Sequence, residues 1–394
     1  MKLIGVVSEY NPFHYGHSYH IEKSREAVGK DSAVVCVMSG DFVQRGEAAI
    51  FEKHARAEAA VKGGADLILE LPVAWSLSSA EGFARGAVGI LGKLGCIDYL
   101  SFGSECGDLK ILNALAVAQS DPEFNKRTKE ELLSGVSFAV ARQRAMEAEY
   151  GSIAGHLKTP NNILAVEYLK AINELHVKLE PITVLRRGST HDASAGSASD
   201  LRIRLKQKRS ISNYVPRGAE DVYKRETEWG RGPVTINAFE DAILSRFRML
   251  DKETFNSLPD ASEGLGNRLY IAAHEECTLD GVITAAKTKR YALSRIRRMY
   301  MCAAIGITAE QTYSLPPYAR VLAANEKGRE ALKIIAEKAE IPVISKPAAI
   351  NGLSRECRVV FERTSLAHDL YVMAYSAKTE RRGRGDYRTS PIIL

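Results

Sequence analysis

The chain has no run of about 18 consecutive apolar residues anywhere in its 394 positions, so no membrane-spanning helix is expected. It shows no leader architecture either. Met1-Lys2-Leu3-Ile4 passes straight into a strand-like segment, and a cytoplasmic location is the expectation. The six cysteines (Cys36, Cys96, Cys106, Cys277, Cys302 and Cys357) include no CxxC pair, which argues against a disulfide framework and against a zinc site. No internal repeat and no dedicated metal cage can be read. What is present is 45% hydrophobic residues, ample for a core and for two or three domains. Charge is unevenly divided: residues 1–200 carry 21 Lys and Arg against 25 Asp and Glu, whereas residues 201–394 carry 33 against 23. A basic second half suits an anionic macromolecular partner, the alternative being a merely soluble basic surface.

The first two hundred residues alternate between two periods. Apolar runs at Leu3–Val7, Ala33–Met38, Asp66–Pro72, Ile97–Phe102 and Ile182–Leu185 read as strands. Helical stretches at Ser18–Val28, Phe51–Lys62 and Ser79–Leu94 separate them, with Gly63-Gly64 and Gly95 as stops. Such βαβ units predict an α/β fold, a Rossmann-like parallel sheet covered on both faces. Residues 108–175 read as a helical insertion, with helices at Leu109–Ala118, Pro122–Leu133, Phe138–Tyr150 and Asn161–Leu175. The expected division is a catalytic domain over 1–205, a linker or surface excursion over 206–235, and a mainly α-helical basic domain over 236–394. In the last of these, helices are expected at Phe239–Leu250, Leu265–His274, Gly281–Ala286, Tyr291–Ala304 and Gly328–Ala339, and short strands at Arg320–Ala324 and Val343–Ser345. The arginine-rich tail Lys378–Arg388 is expected to be partly disordered.

Ligands of such sheets bind at the carboxyl ends of the strands. The first of those ends carries Val7-Ser8-Glu9-Tyr10-Asn11-Pro12-Phe13-His14-Tyr15-Gly16-His17, with Ser18-Tyr19-His20 opening the helix. Asn11-Pro12 breaks the strand, because proline lacks an N–H and biases its predecessor away from helix. The helix N-terminus behind it presents free N–H groups and the positive dipole end to an anion. Two imidazoles spaced by two residues add donors, and Gly16 leaves room for a nucleotide. Two loop histidines with local hydrogen bonds are the bland alternative; the position straight after a first strand speaks for the anion site. The second such junction is Ser194-Ala195-Gly196-Ser197-Ala198-Ser199-Asp200-Leu201-Arg202, where backbone N–H groups, hydroxyls and one guanidinium converge on a phosphate. A third loop, Met38–Glu47, offers Asp41, Gln44 and Arg45 to a substrate, the alternative being an ordinary surface ion pair.

His14-Tyr15-Gly16-His17 after the first strand resembles the HxGH signature of the nucleotidyltransferase superfamily, and Ser197–Arg202 resembles its second motif, with alanine for its second serine, serine for threonine and leucine for isoleucine. The longer string Glu9–His17 and the loop Gly40…Phe42…Gln44-Arg45-Gly46 resemble more closely the bacterial tRNA(Met) cytidine acetate ligase family. That resemblance implies a HUP-type sheet and an ATP-dependent ligase. It would form N4-acetylcytidine at the wobble position of elongator tRNA(Met) through an acetyl-adenylate, with acetate as acyl donor and magnesium accompanying ATP. It implies catalytic roles for His14, His17 and Arg202. It places ATP contacts on Val7 through His20, on Gly103, on Asn162, on Arg187, and on Ser197 and Ser199, leaving Asn161 and Arg186 as neighbours that could replace Asn162 and Arg187. His191-Asp192 is a further pair, better explained by local hydrogen bonding. Separately, Lys287, Lys289, Arg290, Arg295, Arg297 and Arg298 lie within twelve residues and are the candidate tRNA contacts, a solvated helix face being the alternative. Two rival functions share the motifs: an adenylyltransferase for a small phosphorylated metabolite, and a non-catalytic nucleotide-dependent RNA-binding factor.

Overall fold

The computed structural model describes residues 1–186 and 196–394, apart from the side chain of Ala139. Ten strands occur among them: β1 Leu3–Ser8, β2 Ala33–Ser39, β3 Phe42–Val43, β4 Glu47–Ala48, β5 Leu67–Leu71, β6 Tyr99–Ser104, β7 Glu180–Leu185, β8 Ala319–Ala324, β9 Val343–Ile344 and β10 Ile392–Ile393. Eight form one sheet in the order β10-β8-β5-β2-β1-β6-β7, with β9 also paired to β8, while β3 and β4 make a separate hairpin. The pairs β1–β2, β1–β6, β2–β5 and β6–β7 are parallel, as the βαβ reading requires. β8 runs antiparallel to β5.

Side chains alternate between two cores because successive residues of a strand face opposite ways. Leu3, Val35, Val37, Leu67 and Leu69 enter the larger core, which continues into the helices of the insertion and of the second half. Ile4, Val6, Val34, Cys36 and Ile68 enter the other, together with Tyr10, Phe13, Ile21 and the helix Lys53–Lys62. The chain moves outward from β1 to β2 and β5, then returns to β6 and β7 on the other side of β1. The crevice at the carboxyl end of β1 is therefore the point where strand order reverses, the place such sheets reserve for ligands.

Three expectations change. Residues 206–235 carry a helix, Arg217–Glu228, that buries Ala219, Val222, Tyr223 and Glu226 and packs on the helix Lys53–Lys62. The second half is not set apart from the sheet: the short strands expected there are β8 and β9, and with β10 they join the main sheet. The arginine-rich tail holds two short 3-10 turns, Lys378–Glu380 and Gly385–Tyr387, and leads into β10, with Asp386 fully buried. An eighteen-residue helix, Arg355–Val372, was not anticipated at all. No helix is long and apolar enough to cross a membrane among the described residues.

Candidate active site

The turn after β1 is held from below by a buried arginine. Arg56 is 0% exposed and donates from Nε to the Phe51 carbonyl at 2.9 Å and from Nη2 to the Ser39 carbonyl at 2.9 Å. Its guanidinium also reaches the carbonyls of Glu9 and Gly40. One planar fork thus ties the loop after β1 to the loop after β2. The turn is fixed further by Asn11 Oδ1, which accepts from the Ile50 N–H at 2.7 Å, and by the Phe13 N–H, which donates to the Tyr223 hydroxyl at 2.8 Å. Asn11-Pro12 is cis, and Pro12 and Phe13 are buried.

The two histidines cap the helix Tyr15–Val28. His14 is its N-cap and accepts at Nδ1 from the Gly16 N–H at 3.0 Å; His17 accepts at Nδ1 from the His14 N–H at 3.2 Å. A nitrogen that accepts carries no proton, so each neutral ring holds its proton on Nε2. Gly16 is required for this, because a Cβ there would lie 2.7 Å from His14 Cε1. The rings lie 3.9 Å apart and 32° from parallel. Burial, then the charge of Arg186, pushes His14 down to about 4. Burial, then His14, Arg186 and His20, pushes His17 further down. His20 is likewise lowered to about 4 by burial and Arg186, and its Nε2 lies 3.0 Å from Ser101 Oγ. Near neutral pH the pair is two uncharged Nε2–H donors beside a helix N-terminus, a site for an anion.

Arg202 is brought directly to this turn. Its Nη1 donates to the Asn11 carbonyl at 2.8 Å and its Nη2 to Ser199 Oγ at 3.2 Å. Ser197 is the helix-capping serine of the second motif. It caps the helix Ala198–Lys206, accepting from the Asp200 N–H and donating to Asp200 Oδ2 at 2.7 Å. Gly103, at the end of β6, faces Arg186, whose Cγ would lie 3.2 Å from an added Cβ. Asn162 is 1% exposed: Oδ1 accepts from the N–H groups of Glu105 and Cys106 at 2.9 and 3.2 Å, and Nδ2 donates to the His156 carbonyl at 3.0 Å. Its amide shapes the loop beside Gly103. Asn161 Nδ2 donates to Glu105 Oε1 at 2.6 Å. Arg187, His191 and Asp192 lie outside the described residues. Along the rest of the first string, Val7 and Ser8 are half-buried at the end of β1, Tyr10 is buried with φ 44°, and Tyr15 is 53% exposed. The Tyr15 N–H donates to the Tyr214 carbonyl at 3.0 Å, Ser18 Oγ donates to the Gly63 carbonyl at 3.1 Å, and the Tyr19 ring lies under Lys23.

The loop after β2 divides. Gln44 and Arg45 lie beside Glu9 of the first turn. The Gln44 N–H donates to Glu9 Oε1 at 2.9 Å. Burial raises the Glu9 carboxyl, while Gln44, Arg45, Arg202 and Arg56 pull it back. Asp41 does not belong. It is buried, its Oδ1 accepts from the Lys53 N–H at 2.8 Å, and its Oδ2 lies 2.8 Å from His368 Nδ1. Gly46 has φ 72°, and a Cβ there would meet the Arg297 carbonyl carbon at 2.4 Å, so the hairpin β3–β4 seats tightly on the helix Leu293–Ile305.

The expected helix Tyr291–Ala304 is present as Leu293–Ile305, so the basic segment 287–298 is helical only in its second half. Lys287 to Ala292 precede the helix, and Lys287 Nζ donates to the carbonyls of Thr288 and Tyr291, each at 2.6 Å. Four arginines are in ion pairs: Arg290 and Arg295 with Glu263 at 3.2 and 2.9 Å, Arg297 with Glu47 at 2.6 Å, and Arg298 with Asp260 at 2.8 Å. Arg298 is 7% exposed; Lys289 is exposed. The sequence reading missed Arg56 and Tyr223. A lone arginine in the alanine-rich stretch Lys53–Lys62 was the available signal for the first; for the second, a tyrosine 210 residues from its partner, there was none.

The model of the family described as HIGH nucleotidyl transferase matches residues 1–386. Among curated proteins, a tRNA(Met) cytidine acetate ligase of Caldanaerobacter subterraneus is 39% identical over 388 residues, covering 95% of this chain and 96% of that one. Another so named, from Acetivibrio thermocellus, is 37% identical and covers 100% of both chains. Among solved structures, Thermotoga maritima TmcAL bound with alpha-thio ATP superposes with a TM-score of 0.93 at 33% identity, and its apo form with 0.94 at 32%, each covering 100% of both chains.

Proposed function

This chain belongs to the HIGH nucleotidyl transferases and, within them, to the tRNA(Met) cytidine acetate ligase family, and from that membership we propose that it joins acetate to the wobble cytidine of elongator tRNA(Met) at the expense of ATP. The observation that carries the reading is the pair of Nε2–H imidazoles facing the same turn that Arg202 reaches from the second motif.

In the first step an acetate oxygen forms a bond to the α-phosphorus of ATP and the bond to the bridging oxygen of pyrophosphate breaks. His14 and His17 donate from Nε2 to phosphate oxygens, the helix N-terminus faces them, and Arg202 adds a guanidinium. Catalysis is then positioning together with donors fixed where charge develops. Gly103 leaves room for the Arg186 side chain beside the turn, and Arg45 and Gln44 border the acyl side. In the second step the N4 amine of cytidine attacks the acetyl carbonyl, AMP leaves, and N4 gives up a proton.

Magnesium enters this scheme only as a companion of the triphosphate. The described residues hold one His/Asp/Glu group of metal-binding geometry, Asp41–Glu52–His368, and it does not fit. Asp41 is already bonded to His368 and Lys53, and Glu52 caps the helix Lys53–Lys62 through the N–H groups of His54 and Ala55.

The test is mass spectrometry of nucleosides from unmodified elongator tRNA(Met) incubated with the protein, ATP and labelled acetate. Labelled N4-acetylcytidine is expected, and its loss in His17→Ala. Absence of the labelled nucleoside, with pyrophosphate released only on adding a phosphorylated metabolite, would overturn the assignment.

A further inference from the structure

The segment Arg202-Ile203-Arg204-Leu205-Lys206-Gln207-Lys208-Arg209 holds five basic residues in eight. None of the five is in an ion pair among the described residues, in contrast to the four paired arginines at 290–298. The neighbouring carboxylate, Asp200, is occupied in capping its own helix with Ser197. Lys206, Lys208 and Arg209 are exposed. The polar contacts in the segment run elsewhere: Arg202 to Asn11 and Ser199, Arg204 over the Tyr214 ring at 4.7 Å, and Arg209 to Gln207.

Cations near a helix C-terminus also answer the helix dipole, and Arg204 and Lys206 lie in the last turn of Ala198–Lys206. That accounts for two of them. It does not account for Lys208 and Arg209, which lie beyond the helix, nor for a strip without ion pairs among the described residues. The strip is also joined to the reacting centre twice. Arg202, at its start, bonds the Asn11 carbonyl, and Tyr214, which Arg204 covers, accepts from the Tyr15 N–H. With a rise of 1.5 Å per helical residue, Lys206 stands about 6 Å along the axis from Arg202.

We propose that Arg204, Lys206, Lys208 and Arg209 form the surface that holds the RNA backbone next to the reacting nucleotide. The proposal rests on the acetate-ligase reading, and names where its polyanionic substrate docks. A polynucleotide whose cytidine must reach the acyl group at the phosphate site brings its flanking phosphates over the surface next to Arg202. Cations without an ion pair there gain most from phosphate, because no carboxylate of the described residues has to be displaced.

The test uses the full chain and an unmodified elongator tRNA(Met) transcript. Binding is measured from 50 to 200 mM salt for wild type, for K206Q/K208Q/R209Q, and for K287Q/K289Q/R290Q. Each lost phosphate contact lowers the slope of log K against log salt by about 0.7–0.9. The first variant should therefore lose a slope of ~2 and bind about tenfold or more weakly, while the second keeps the wild-type slope. RNA-free, acetate-dependent ATP–pyrophosphate exchange reads fold and ATP site, and the K206Q/K208Q/R209Q triple should retain it. Single Lys206→Gln and Lys208→Gln variants, each lowering the slope by about one, decide the matter should the triple variant fold poorly. Wild-type slope in the first variant and a reduced slope in the second would overturn the surface. Wild type without acetate-dependent exchange but with the expected slopes would overturn the ligase reading and leave the surface standing.

Discussion

A phosphate-binding histidine needs its proton on the nitrogen that faces the ligand. Here the backbone decides which nitrogen that is, since the Gly16 and His14 N–H groups occupy both Nδ1 atoms. The side chain of glutamine carries its NH2 where histidine carries Nε2, whereas asparagine reaches only as far as Nδ1. His17→Gln should therefore retain more acetate-dependent ATP–pyrophosphate exchange than His17→Asn, with the asparagine variant losing on the order of 10²–10³ in kcat, the usual cost of one lost transition-state donor. Equal losses in the two variants would show that the donor at Nε2 is not what the ring supplies.

At the scale of elements, the site depends on two loops from adjacent parallel strands keeping their spacing, and Arg56 sets it through four backbone carbonyls. Arg56→Ala would leave those carbonyls buried without a donor, a loss of at least ~3 kcal/mol for several charge-assisted hydrogen bonds. Urea unfolding should show this, and the exchange activity that remains should have a raised KM for ATP. Arg56→Lys, with one compact ammonium in place of a fork, should rescue stability only in part. Much of this scaffold was legible in the chain. Strands buried on both faces read as unbroken apolar runs, which is why Ala33–Ser39 and Leu67–Leu71 were found nearly to the residue. The helix Arg217–Glu228 was hidden because its apolar face is only Ala219, Val222 and Tyr223, with Glu226 buried beside them, within a segment dominated by charge. Arg355–Val372 was hidden for a similar reason: Thr364, Ser365 and His368 lie on its buried face and interrupt the apolar stripe. The motif residues were legible from order and spacing. Residues that act through contacts distant in sequence, such as Asp41 with His368, carry no local signal.

The whole molecule is closed by a charge cluster that draws on six separated segments. Lys53 Nζ lies 2.6 Å from Asp386, 2.8 Å from Glu70 and 3.8 Å from Asp41. Arg320 lies 3.1 Å from Glu70 and 3.0 Å from Asp386, and His368 lies 2.8 Å from Asp41. All six are buried. Burial alone would lower His368, but Asp41 and Asp386 raise it to about 9, and Asp41 is held at about 2 against its burial by His368 and Lys53. With His368 protonated these six are three cations against three carboxylates, and Glu52, beside Asp41 and His368, is pushed up to about 7 by burial and then by Asp41. Asp386 is the contribution of the arginine-rich tail, so this balance fastens the tail to the sheet. Asp386→Asn leaves an uncompensated buried cation and should cost about 3–5 kcal/mol in unfolding free energy, as breaking a buried pair does. Adding Lys53→Met to that variant should restore part of the loss, because removing both charges also removes the imbalance. The same cluster fixes the sign of the alkaline limb. His368 has a folded pKa above its unfolded value, so its contribution is complete below about 6.5 and is lost as pH rises through about 9. Wild type should weaken across that window and His368→Gln should not. An Asp386→Asn protein as stable as wild type, with an unchanged alkaline limb, would mean that the tail is held by β10 and its strand pairing with β8 instead.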